Sequence, residues 1–168
     1  MAQHQNISSP RTYDWEDMLP ESDYTTLLFI RELMHKGEYE AAKKGIDKLF
    51  EFETKVEKRE MKKALVRLMT AIFLWKLNPD YRTGEQVHEI FEAYEDVEYY
   101  IEEGTELNYN FLLQVWDEAL EDAKDFAEIE LQYRIGNVTL SWEEVFEKEY
   151  SMFTKNEDDG AKREAWFI

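Results

Sequence analysis

A chain of 168 residues, 43 % apolar and 15 % aromatic, fits one domain of ordinary size and has enough apolar mass to bury a core. The absence of cysteine excludes disulfides, thiolate zinc sites, iron–sulfur clusters and cysteine nucleophiles. With 38 acidic against 20 basic side chains the net charge is −18, which repels nucleic acid and anionic membranes and makes a basic protein the natural partner.

The first ten residues lack a basic segment followed by an apolar run, so a cytoplasmic location is expected. Residues 1–21 show no sustained period and read as an N-terminal arm anchored by Tyr13 and Trp15. Ser22 is placed to cap a first helix over about 23–36, in which Leu27, Leu28, Ile30, Leu33 and Met34 recur at helical spacing until Gly37 stops it. A second helix from about Glu38 to Thr54 sets Tyr39, Ala42, Ile46, Leu49 and Phe50 against Lys43, Lys44 and Lys48. The third, from about Val56 to Leu77, carries Met61, Leu65, Leu68 and Ile72 three and four residues apart, and its second half is apolar almost all round. That half belongs at the centre of a bundle. Its least polar stretch, Leu68 to Leu77, is well short of the ~20 residues that cross a membrane, and Asn78-Pro79 ends it.

Thr83 and Gln86 have capping-box spacing and open a fourth helix with Val87, Ile90, Phe91, Tyr94, Val97 and Ile101 on its buried face. Gly104 is expected to end it and Thr105 to cap a fifth. There Leu112, Val115, Trp116, Ala119, Ala123, Phe126 and Ala127 form the apolar stripe, opposite Asp117, Glu118, Glu121, Asp122, Asp125 and Glu128. Ile135-Gly136-Asn137 signals a turn, and Ser141 with Glu144 makes a second capping box for a short helix reaching about Phe153. The fold class is therefore all-α: a compact helical bundle of about five main helices with a central apolar helix over residues 22–134. A C-terminal extension over 135–168 adds a short helix and a polar tail.

Charge is distributed unevenly along these elements. Residues 83–132 hold sixteen acids and one base, Lys124, whereas residues 31–82 hold thirteen bases and nine acids. Lys55, Lys58, Arg59, Lys62, Lys63 and Arg67 form a basic stripe, and acids of the later helices can neutralise it if they come within a Debye length of ~8 Å. Acids left over would form a face for a basic partner.

Catalytic patterns are sparse. Two Glu-x-x-His pairs, Glu32 with His35 and Glu85 with His88, have the spacing by which helical bundles bind iron or manganese, because i and i+3 share a helix face. Glu32 lies at the edge of its apolar stripe and Glu85 in a first turn, and neither is a core-facing position. No serine sits in a nucleophile elbow, and the six glycines build no phosphate loop.

The segment LVRLMTAIFLWKLNPDYRT, with Trp75, Pro79 and Arg82 in order, resembles the signature of the bacterial domain-of-unknown-function 29 family, common in cyanobacteria. Asp23-Tyr24, Leu33-Met34 to Gly37, and the closing AEIEL are similar to its other landmarks, so the resemblance spans about residues 22–131. Ala71, Leu74 and Glu85-Gln86 depart from the family pattern, and the segment from Ile135 onward would be particular to this chain. The resemblance implies a compact helical bundle without an assigned activity. The expected function is a cytoplasmic, non-enzymatic protein-interaction module using Asp117, Glu118, Glu121, Asp122 and Asp125. No cofactor is implied, the oligomeric state is left open, and the alternative is a metal-dependent enzyme built on the two Glu-x-x-His pairs.

Overall fold

The structure is a computed structural model that describes residues 13–20, 22–103 and 109–152. The chain is all-α, with helices α1 (Trp15–Met18), α2 (Asp23–His35), α3 (Tyr39–Leu77), α4 (Gly84–Glu103), α5 (Tyr109–Leu131) and α6 (Trp142–Phe146). Two compact units divide it, Met1–Lys55 and Val56–Ile168.

In the first unit the predicted signals act as expected. Ser22 accepts the amide of Thr25, and Gly37, at φ 75°, lets the amides of Gly37 and Glu38 reach the carbonyls of Met34 and Leu33. This paired closure satisfies the orphan carbonyls at the end of α2. The arm anchors as its two aromatics suggested: Trp15 and Leu19 are buried with Ile30, Leu33 and Ala42, and the Tyr13, Trp15 and Phe29 rings pack together. Gly45 is what admits the indole, because a Cβ built there would stand 2.4 Å from Trp15 Cη2. Tyr13 fixes the arm further by donating to Glu38 Oε2 at 2.8 Å.

The second unit buries Met61, Leu65, Leu68, Met69, Ile72 and Phe73 of α3 completely, confirming that segment as the centre of a core. Val97 of α4 and Leu112, Ala119, Ala123 and Ala127 of α5 close over them. The alanine seam brings α5 near enough for the Thr70 hydroxyl, bonded to the Val66 carbonyl at 2.8 Å, to reach the Ala123 carbonyl at 3.4 Å as well. Both predicted capping boxes form, Thr83 with Gln86 and Ser141 with Glu144. The positions expected to separate the fourth and fifth helices, Gly104 and Thr105, lie outside the described residues, as does the tail ending in Trp166-Phe167-Ile168.

Three expectations are corrected. The predicted second and third helices are one helix of 39 residues. Glu53-Thr54-Lys55-Val56 contains no glycine, proline or asparagine, and β-branched residues alone cost too little to stop a helix. The last helix ends at Phe146 rather than near Phe153. Tyr150 explains this, since its buried ring meets Trp75 edge-on and its hydroxyl donates to the Glu144 carbonyl at 2.6 Å, which turns the chain back out of the helical path. Finally, two residues assigned to buried faces, Phe91 and Phe126, are exposed, as are Leu27, Met34, Ile46 and Phe50 of the apolar sets in the first two predicted helices. Their helices carry broader apolar arcs than the cores cover.

Candidate acidic face on helix α5

Two members of the basic stripe of α3, Lys62 and Arg67, are neutralised by neighbouring helices, while Arg59 and Lys63 pair with Glu60 of the same helix. Lys62 Nζ lies 2.6 Å from Glu118 Oε1 and 2.9 Å from Asp122 Oδ2, which places α3 beside the acids of α5. The bonds from Glu118 and Asp122 raise the Lys62 pKa and keep the amine charged. Arg67 meets α4: its Nε and Nη2 span the Glu89 carboxylate at 2.6 and 3.1 Å, Nη1 reaches Asp96 at 2.7 Å, and Nη2 also approaches Glu92 at 3.3 Å. A planar guanidinium suits this fork, which a lysine could not reproduce. Bonding to Arg67 holds the Glu89 carboxyl below its ordinary value, against a smaller opposing effect of burial.

Other acids close local structure. Glu128 accepts the Ile135 amide at 3.0 Å and pairs with Arg134, fixing the turn after α5, and the Ile135 bond lowers its pKa first of all. Glu144 joins Lys76 at 2.6 Å in addition to its capping role.

Among the five predicted acids, Glu118 and Asp122 are therefore engaged within the molecule. Asp117, Glu121 and Asp125 are exposed and have no basic partner among the described residues. Glu130, not singled out by the sequence, is in the same state. Like charges side by side on one helix face repel, so the unpaired set does not stabilise the helix.

The two Glu-x-x-His pairs follow separate courses. Glu32 bonds to Lys36 at 2.6 Å and His35 is exposed in the first unit. In the second, Glu85 is exposed and His88, 70 % exposed, faces Glu92 at 3.2 Å. Among the described residues no three His, Asp or Glu side chains are grouped as a metal would require.

One feature of this face was not legible as such. Phe126, expected in the core, is 55 % exposed, and Ile129 and Tyr133 beside it are 70 % and 49 % exposed. With Asp125, Glu128, Gln132 and Arg134, the latter two line an open concavity at the end of α5. The signal was the spacing of 126, 129 and 133, but a core-facing stripe has the same spacing.

The fold and site define an all-α protein with a partly self-neutralised acidic helix and, among the described residues, no group of His, Asp and Glu that could hold a metal ion. The model of the family described as "Domain of unknown function DUF29" matches residues 46–151, and the chain belongs to that family. Comparison with curated proteins and with solved structures gave no match. The match reaches Ser151, so residues 135–151 are not an addition outside the family. Trp75 and Arg82, which carried the resemblance, make a structural joint: the Arg82 guanidinium stacks 4.6 Å from the Trp75 ring centre while Nε donates to the Trp75 carbonyl at 3.0 Å.

Proposed function

We propose that this protein is a cytoplasmic, non-enzymatic interaction module that presents the outer face of α5 to a basic protein. The observation that carries the reading is the unequal use of the acids. Glu118 and Asp122 are spent on Lys62, while Asp117, Glu121 and Asp125 remain exposed without a basic partner among the described residues. A row of like charges held on one helix repels itself, and a basic surface relieves that repulsion while gaining electrostatic steering.

The test is affinity capture at low and high salt with the wild-type chain and with Asp117→Lys, Glu121→Lys and Asp125→Lys combined. Leaving Glu118 and Asp122 in place preserves the Lys62 pairs. Proteins retained at low salt should be released at high salt and lost from the triple variant. Retention of the same set by both chains would overturn the assignment of this face.

A further inference from the structure

The acids of α5 adjoin an apolar strip that the core leaves uncovered. Phe126 and Ile129 stand three residues apart on the helix, both more than half exposed. Gln132, at φ 59°, then turns the chain and brings Tyr133 alongside, where its hydroxyl donates to the Leu77 carbonyl at 3.4 Å. This places the tyrosine at the helix end. Asp125 shares the concavity with Ile129 and Tyr133, and Glu130 lies beside Ile129 in sequence; neither has a basic partner among the described residues. Glu128 in the same concavity is neutralised by Arg134.

An apolar centre with an uncompensated acidic rim selects its occupant. A second copy of the chain would bring another −18 and set the same acids against each other. Nucleic acid would be repelled likewise. An amphipathic helix fits both parts at once, with apolar residues at i, i+3 and i+4 and lysines or arginines on its flanks. We infer that the strip of Phe126, Ile129 and Tyr133 receives such a basic amphipathic helix, whose cations meet Asp125 and continue along α5 to Glu121 and Asp117. The inference rests on the acidic-face reading and adds that the contact is apolar at its centre.

The experiment titrates two synthetic peptides into the isotopically labelled full chain and follows amide shifts by NMR. One carries leucines at i, i+3, i+4 and i+7 spacing with lysines on the flanks, and the other replaces each leucine by serine at equal charge. The expected result is that the leucine peptide shifts residues 122–134 and binds at least about tenfold more tightly than the serine peptide. Ile129→Ser and Phe126→Ser, both surface changes, should remove that advantage without altering the remaining spectrum. Equal binding of the two peptides, indifferent to Ile129→Ser, would overturn the apolar contact and leave the acidic face standing. Binding of neither would overturn both. Concentration-dependent dimerisation lost in Ile129→Ser, in the absence of peptide, would overturn the basic helix in favour of a second copy.

Discussion

The core of the first unit gathers four buried apolar side chains, Leu19, Ile30, Leu33 and Ala42, around one indole lodged over Gly45, whereas in the second unit a run of fully buried α3 residues lies under an alanine seam. Both units hold ion pairs within one helical turn, and the second adds pairs between helices. Lys36–Glu32 and Lys48–Glu51 stay within one helical turn, while Arg67 and Lys62 reach across to α4 and α5. A small core depends on single fits, and a larger one distributes its stability over many contacts and cross-helix charges.

Cavity formation at the centre of the larger core should produce the largest effect. Phe73→Ala removes a ring with no exposed surface and should cost about 3–5 kcal/mol in urea unfolding. A loss below about 1 kcal/mol would show that the core collapses freely and is not close-packed. In the first unit, Gly45→Ala drives a methyl into Trp15, which Tyr13 and Phe29 hemmed in. Overpacking costs about 1–3 kcal/mol, of which about 1 is returned by better helix propensity. Hydrogen exchange should rise over residues 13–55 and stay unchanged at 61–77; a uniform rise would erase the distinction between the units.

The smallest effect concerns charge. Glu89 has its carboxyl lowered below 4.5 by Arg67, so its contribution to stability is fully present above that value and is lost as pH falls through the lowered one. Arg67→Gln should therefore lower the melting temperature slightly at pH 7 and flatten the acid-side decline below pH 4.5. Both side chains are more than a third exposed, which limits the effect to a fraction of a buried pair. Parallel melting curves for the two proteins between pH 7 and pH 3 would refute the coupling.

Local chemistry carried much of the fold into view. Ser22, Gly37, Pro79, Thr83 with Gln86, and Ser141 with Glu144 all act where their side chains or dihedrals require. What escaped depends on tertiary context. Thr54 and Val56 look weakly helical in isolation, yet nothing stops the helix there, and Tyr150 shortens α6 only because Trp75 is waiting for its ring. The acids of α5 were legible as a face, and charge balance foretold internal pairing in general, but not that Lys62 would take Glu118 and Asp122. Phe126 was misassigned because periodicity places residues on an arc without saying how far the neighbouring helices extend over it.

The alanine seam has one more consequence. Ala119, Ala123 and Ala127 are fully buried, and Thr70 bridges to the Ala123 carbonyl, so α5 has little room to roll about its axis on α3. The backbone positions from which its outward carboxylates project are thus set by the core. For the docking face proposed above, this means that the helix need not move to receive a partner, so that selectivity would depend on the spacing of the acids along α5 as much as on their charge.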